Sequence, residues 1–321
     1  MKKIVDFIVY NKAATYVAAL FCIALWGVSL NTTSSLLIPY VTCTVYLVAG
    51  FFLMRTNERI VYSTADKTSL TGTLFLMSCA LAPSLATSIT VMSHFILLSS
   101  ALSLLLRTYR QPDSMGIYFT AFVLVGIISL TYPTILFVTP LLLICCLLLQ
   151  SLHIRTILAS IFGLLLPYWG AICVLFITEK SFPIDAYVEH LLSPTIVLQQ
   201  EPITFINGYT FPAEAPQILW FFLLIMPGIS ATFFSRITLK ARTQASLYFL
   251  TTAVLLMLAL IAIFPAFYTT MLPLLYLAAS ISSTVFFING SHRWSRTYLI
   301  VITAAWLLMT IISIWNNCPT Y

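Results

Sequence analysis

The sequence predicts an all-α membrane protein, a bundle of about eleven transmembrane helices that forms one integral membrane domain over residues 1–321. Two observations lead to this fold class. Charged residues make up only 7% of the chain, against about a quarter in an average protein, and the mean hydropathy is +1.02. In addition, fourteen of the fifteen Lys and Arg residues fall on one side once the apolar segments are arranged as alternating crossings.

Each predicted span is an apolar run near the ~20 residues that an α-helix needs to cross roughly 30 Å of hydrocarbon. Seven spans precede a long connection and four follow it. The predicted spans lie at 13–30, 36–54, 68–85, 88–106, 115–131, 134–150, 156–177, 217–235, 246–264, 268–289 and 298–315.

The distribution of basic residues sets the predicted orientation, because Lys and Arg resist translocation and collect in short cytoplasmic loops. With the N-terminus in the cytoplasm, Lys180 is the one basic residue outside, and the C-terminus is also outside. We therefore expect a multi-pass protein of the cell inner membrane, with the lipid bilayer as its first partner. The cations are scattered over six short loops rather than clustered on one face, so we expect no nucleic-acid partner.

Cysteine usage indicates packing rather than redox chemistry. Six of the seven cysteines lie inside predicted spans without C-x-x-C spacing, and we interpret them as small buried hydrophobic residues. Cys318 alone lies on the outer side, so we expect no structural disulfide. The six intramembrane cysteines are Cys22, Cys43, Cys79, Cys145, Cys146 and Cys173.

The long outer connection, residues 178–216, is the main candidate for a functional segment, because loops of this length are usually functional or disordered. Pro183 can begin a helix, and the apolar residues of 184–192 follow helical spacing. The pattern predicts a short amphipathic helix lying on the outer membrane face. We expect the connection to form a lid over the outer end of the bundle.

Asp185, Glu189 and His190 are the candidate catalytic residues, and Asp185 and Glu189 are also the candidate metal ligands. A spacing of four places both carboxylates on one helical face, where they could share a divalent cation. The alternative is that they form the solvated face of the interfacial helix. No H-E-x-x-H, G-x-S-x-G or phosphate-loop motif occurs in the sequence, and we expect no cofactor.

His94 is the one ionisable residue well inside a predicted span. Intramembrane ionisable residues are candidate functional sites by default. Because no acidic residue lies at a similar depth, no proton or sodium relay is predicted. We interpret His94 as a hydrogen-bonded packing residue. The alternative is a path for an uncharged substrate, which would need no ionisable residue within the membrane.

Several short motifs occur along the chain: Arg107-Thr-Tyr-Arg110, Gly126-Ile-Ile-Ser-Leu-Thr-Tyr-Pro133, His153-Ile-Arg155, Gly163-Leu-Leu-Leu-Pro167-Tyr168, Arg236-Ile-Thr-Leu-Lys240-Ala-Arg242 and Leu272-Pro273-Leu-Leu-Tyr276. With these motifs the sequence resembles a family of polytopic inner-membrane proteins typical of Bacteroidota, whose activity is not established. The resemblance covers most of the chain and implies the fold but no activity.

The central stretch, with Gly126-Ile-Ile-Ser-Leu-Thr-Tyr-Pro133, is also similar, more loosely, to membrane glycosyltransferases that use polyprenyl-phosphate sugars, in which a helix hairpin with a comparable Gly…Leu-x-Tyr-Pro pattern recurs. That family places a catalytic acid in the first outer loop. Here this loop is Asn31-Thr-Thr-Ser-Ser35 and contains no carboxylate. The resemblance therefore implies the fold more than the reaction.

Three functions from different classes follow. The leading hypothesis is a non-catalytic scaffold or assembly subunit of the cell envelope, whose partners are other envelope membrane proteins. The alternative is a glycosyltransferase-like protein that handles lipid-linked glycans at the outer face. A transporter of a neutral or lipid substrate is a further alternative.

Substituting the outer carboxylates distinguishes the enzyme hypothesis from the scaffold hypothesis. We expect Asp185→Asn and Glu189→Gln to leave both protein abundance and the cellular phenotype unchanged, because isosteric changes at exposed sites typically alter the free energy of unfolding by less than about 0.5 kcal/mol. A general base, in contrast, contributes about 10²- to 10⁴-fold in rate. Complementation of a deletion strain at matched expression is the measurement, and Glu201→Gln, another outward acid, is the control. Loss of function in either variant but not in the control would contradict the scaffold hypothesis.

Overall fold

The protein is all-helical throughout the part of the chain that the computed structural model describes, which comprises residues 11–30, 37–60, 69–82, 85, 88–111, 113–178, 215–234, 241–264, 267–289 and 293–317. Two short 3-10 helices, Leu106–Thr108 and Pro133–Phe137, interrupt the sequence of α-helices. The α-helices are α1 Lys12–Leu30, α2 Leu37–Ile60, α3 Leu70–Ala80, α4 Ile89–Leu105, α5 Met115–Thr131, α6 Val138–Leu148, α7 Ile154–Ile177, α8 Ala215–Phe234, α9 Ala241–Ile263, α10 Tyr268–Asn289 and α11 Arg293–Asn317.

Within the described ranges, four helical segments are long and apolar enough to cross a membrane: Ile89–Thr108, Ile154–Ile177, Ala241–Ile263 and Tyr268–Ile288. The other apolar helices of the described ranges offer shorter apolar stretches, of 10–17 residues. The predicted class, a helical protein with several candidate membrane spans, is therefore confirmed.

Every predicted span contains one of the eleven α-helices, but two spans differ from the prediction in their internal structure. In the span predicted at 68–85, α3 ends at Ala80, shortly before Pro83. In the span predicted at 134–150, a 3-10 helix begins at Pro133 and regular α-helix begins only at Val138. Both differences follow from proline, which disfavours helical geometry in the residue before it. Tyr132 shows this directly, with φ −139° and ψ 86°.

The chain divides into two compact units. Unit 1 comprises Met1–Met92, Asn207–Leu247 and Leu275–Tyr321, and unit 2 comprises Ser93–Ile206 and Tyr248–Leu274. This division does not test whether residues 1–321 form one integral membrane domain, which stays a prediction.

Unit 1 is organised around α3, an eleven-residue helix in which every residue is buried. Three tryptophans from three other helices donate hydrogen bonds to consecutive residues near its C-terminal end. Trp306 Nε1 donates to the Met77 carbonyl at 2.8 Å, and Trp26 Nε1 donates to the Cys79 carbonyl at 3.0 Å. Trp220 Nε1 donates to Ser78 Oγ at 2.8 Å.

The contacts of unit 1 also fix the relative directions of its helices. The helices α1 and α3 begin at the same end, where Ser69 Oγ donates to the Asn11 carbonyl at 3.0 Å. The C-terminal part of α10 lies at this end too, since Thr71 Oγ1 donates to Thr284 Oγ1 at 3.1 Å. The Phe287 ring of α10 stacks with Tyr298, near the start of α11.

The last part of α2 completes this end of unit 1, because the ring of Phe51 lies 5.4 Å from that of Tyr16 in the first turns of α1. The end is the one at which the basic positions of these helices lie. They are Lys12 in α1, Arg55 and Arg59 in α2, and Arg293 and Arg296 in α11.

In unit 2, α5 and α7 approach so closely that glycine is required on each of them. A Cβ on Gly126 of α5 would lie 2.7 Å from the Leu164 carbonyl oxygen and 3.0 Å from Pro167 Cγ. A Cβ on Gly163 of α7 would collide with the Phe119 carbonyl. The Ser129 and Tyr168 hydroxyls join the same pair of helices at 2.7 Å. Small residues allow backbones to approach in this way in membrane bundles.

One end of unit 2 is held by a buried hydroxyl network centred on Ser151. Its Oγ lies 2.7 Å from the Tyr118 hydroxyl and 3.1 Å from Thr108 Oγ1. Beside this network, Arg110 donates from Nε to Gln150 Oε1 at 3.0 Å. Both Arg110 and Gln150 adopt positive φ, 53° and 54°, a conformation uncommon outside glycine.

The α5–α7 contact predicts opposite outcomes for two alanine substitutions on one helix. We expect Gly126→Ala to destabilise the protein by about 1–3 kcal/mol, the range typical of overpacking, because its Cβ meets backbone. Gly116→Ala, whose Cβ would meet nothing within 4 Å, should leave stability unchanged or slightly raised, since Ala favours helix. Thermal unfolding in detergent, followed by size-exclusion chromatography, is the measurement. Equal melting temperatures for the two variants would show that α5 and α7 do not pack as described.

Candidate functional site

The predicted site residues Asp185, Glu189 and His190 lie outside the described residues, as do the predicted helix 184–192 and most of the connection 178–216. Their proposed roles as catalytic groups or metal ligands therefore stay predictions. Within the described part of the chain, no three His, Cys, Asp or Glu residues lie close enough together to hold a metal ion.

His94 is nearly completely buried in α4, and its two ring nitrogens have different environments. Nε2 lies 3.1 Å from Thr131 Oγ1, at the end of α5. Nδ1 is buried and has no hydrogen-bond partner among the described residues. The ring lies 6.0 Å from that of Tyr132. His94 thus makes one hydrogen bond, as a packing residue does, through Nε2, and its Nδ1 makes none among the described residues.

An exposed cationic surface lies beside the Ser151 network of unit 2. Arg107, Arg110 and Arg155 are all exposed, and the N-cap residue of α7, His153, is exposed as well. The first turn of α7 contains no acidic residue. The arrangement provides positive charge at the end of a helical bundle, as positive-inside topology requires.

An exposed apolar surface among the described residues of unit 2 is the last part of α7, residues 169–177, which we call the α7 exposed segment. Seven of its nine residues are exposed and the other two are half-buried. Trp169 exposes 64% of its surface and Phe176 85%. Successive residues point about 100° apart on a helix, so this segment is uncovered around most of its circumference.

The geometry of α5 and α7 explains why the exposed segment begins where it does. Tyr168 makes the last hydrogen bond to α5, and its partner Ser129 lies two residues before that helix ends at Thr131. Beyond this level α5 has no further residues to cover α7. Gly170 lies in the uncovered part, and a Cβ on it would meet no atom within 4 Å.

The cysteines correct one sequence prediction. All six described cysteines are free thiols, and Cys22, Cys43, Cys79, Cys145 and Cys146 are buried as expected. Cys173 is exposed, because it lies in the α7 exposed segment beyond the end of α5. Hydropathy did not reveal this difference, since a lipid-facing position and a helix-facing position in a membrane protein are equally apolar.

Fold and composition thus define a helical membrane protein, and the α7 exposed segment is an uncovered apolar part of its described surface. No family model, no curated protein and no solved structure matches this chain. The resemblances to a Bacteroidota membrane family and to polyprenyl-phosphate-sugar glycosyltransferases accordingly stay predictions.

Proposed function

We propose that the protein is a non-catalytic scaffold or assembly subunit of the cell envelope, which binds a membrane-embedded partner helix through the α7 exposed segment. The supporting observation is the continuous exposure of residues 169–177 around an accessible glycine, Gly170.

Glycine at this position matters because lipid tails are as apolar as leucine, so the hydrophobic effect does not drive helices together within a bilayer. Close backbone packing and hydrogen bonds drive association instead, and small residues permit the approach. The chain already uses this device at Gly163, where α7 meets α5. Gly170 lies seven residues farther along the helix, nearly two turns, and therefore on nearly the same face.

The partner surface is also chemically distinct from an ordinary lipid-facing surface. It combines bulky side chains, Trp169 and Phe176, with the small residues Gly170 and Cys173 within fewer than three turns. Large and small residues side by side form the ridges and depressions that a second helix can fill.

We further propose that the protein crosses the inner membrane eleven times, with its N-terminus in the cytoplasm and its C-terminus outside. The charge separation of the sequence supports this topology. The contacts within each unit are consistent with it, because the basic positions of α1, α2 and α11 share one end of unit 1, and Arg107, Arg110 and Arg155 flank the Ser151 network in unit 2.

Reporter fusions test the topology. We expect alkaline phosphatase to be active when fused after Tyr321 and inactive when fused within residues 236–245, because the enzyme folds only outside the cytoplasm. A cytoplasmic reporter at the same two sites is the control and should give the reverse pattern. Active phosphatase at 236–245 would exclude the proposed orientation.

Substitution of Gly170 by a bulky residue tests the scaffold proposal. We expect Gly170→Leu to prevent cross-linking of the partner through a photoreactive residue at Val174, while the melting temperature of the purified protein stays unchanged. A Cβ at this position meets no described atom within 4 Å, so the protein has room for the larger side chain, which would prevent close approach of a second helix. Gly27→Leu is the matched control, since a Cβ at Gly27 also meets no atom within 4 Å.

Two outcomes would count against the scaffold proposal. One is a photoproduct at Val174 that contains lipid alone in wild-type membranes. The other is an unchanged protein adduct in Gly170→Leu, which would place the partner elsewhere.

A further inference from the structure

A groove opens between three helices of unit 1 and has no role in the contact surface described above. Its volume is about 220 Å³. It is deep because α1 contributes the small residues Ala14 and Ala18 where it faces α3 and α11. The residues that line the groove are Ala14, Val17, Ala18, Phe21, Thr73, Met77, Thr303, Trp306 and Leu307.

The polar atoms of the groove walls are already engaged within the protein. Trp306 Nε1 donates to the Met77 carbonyl at 2.8 Å, and Thr303 Oγ1 donates to the Ile300 carbonyl at 2.9 Å. Thr73 Oγ1 donates to the Ser69 carbonyl at 3.0 Å. The groove therefore presents hydrocarbon and aromatic surface to an occupant. Apolar cavities smaller than this one, about 150 Å³, stay dry and accept hydrocarbon ligands.

The groove is open on the side that faces the surrounding medium. Val17, Phe21 and Leu307 line it and are 45%, 44% and 48% exposed. The neighbouring exposed side chains Leu20 and Ile23 of α1 and Val301, Leu308 and Ile311 of α11 are also apolar, so the surrounding medium along this face is the hydrocarbon of the bilayer. An occupant can enter sideways from the membrane without crossing a polar region.

A basic position lies beyond one end of the groove. Arg296 precedes Thr303 by seven residues in α11, nearly two helical turns, so the two positions share a face and are about 10 Å apart along the axis. The contacts of unit 1 place the starts of α1 and α11 at the same end, so Arg296 lies toward the end of the groove where both helices begin. The combination of an apolar groove and a basic position at one end is complementary to an anionic lipid.

We propose that this groove binds one acyl chain of an anionic phospholipid, with its phosphate at the end of unit 1 where α11 begins, near Arg296. The acyl chain fills space whose lining atoms would otherwise lack contacts, and such contacts are individually weak but numerous. The headgroup gains from Arg296, since one basic residue near an anionic membrane surface contributes about 1 kcal/mol, or about fivefold in affinity.

Lipid titration followed by native mass spectrometry tests this site. The full-length protein, delipidated in mild detergent, is titrated with phosphatidylglycerol and with phosphatidylcholine of identical acyl chains. We expect the first phosphatidylglycerol to bind about fivefold more tightly than phosphatidylcholine. Ala18→Phe, which places a ring in the groove, should weaken both lipids about fivefold or more. Ala24→Phe, at an exposed position of α1 outside the groove, should bind both lipids as the wild type does.

A charge variant distinguishes the contribution of the lipid headgroup to affinity from that of the acyl chain. We expect Arg296→Gln to bring the affinity for phosphatidylglycerol close to that for phosphatidylcholine, while the affinity for phosphatidylcholine stays unchanged. Thr303→Phe fills the groove from α11 and replaces Ala18→Phe in the test if that variant elutes as an aggregate. Wild-type lipid affinity in a folded groove-filling variant, or equal binding of the two lipids by the wild type, would overturn the proposal.

Discussion

Polar groups within a bilayer must find their partners inside the protein, because hydrocarbon offers no hydrogen bonds. The end of α3 shows how strongly this requirement shapes unit 1. The last carbonyls of any helix lack partners within that helix, and α3 ends at Ala80 in fully buried surroundings. The backbone N–H groups of Leu81 and Ala82 donate to the Ser78 and Cys79 carbonyls at 3.3 and 3.1 Å. The Trp306 indole N–H supplies a donor to the Met77 carbonyl, and the Trp26 indole N–H adds a second donor to the Cys79 carbonyl. Packing around α3 thus brings side-chain donors to its terminus.

Unit 2 meets the same requirement with hydroxyl groups and with close backbone contact. Ser151 joins Tyr118 and Thr108, and these hydrogen bonds connect the ends of neighbouring helices. Such bonds contribute on average about 0.6 kcal/mol each in membrane proteins, so they orient helices more than they hold them. The close α5–α7 contact at Gly126 and Gly163 supplies dispersion contacts along several turns.

The sequence predicted the existence and type of the described helices well, because long apolar runs leave few other structures possible in lipid. It did not predict where α3 ends or which residues stabilise that end. Ser78 and Trp220 are 142 residues apart, and neither shows a local pattern that indicates the other. The exposure of Cys173 escaped prediction for a related reason, since hydropathy does not distinguish a lipid contact from a helix contact. The predicted carboxylate site lies outside the described residues.

The Met77–Trp306 hydrogen bond has a consequence for biosynthesis, because its partners are 229 residues apart and the donor lies in α11, after every other described helix of the chain. At a synthesis rate of about 5–20 residues per second, roughly ten to fifty seconds separate the two residues at the ribosome. Throughout that interval the Met77 carbonyl lacks its final donor, so α3 must be sheltered by translocon or water. Unit 1 can reach its final structure only after α11 has been synthesised, and premature termination before α11 would leave the centre of the unit open.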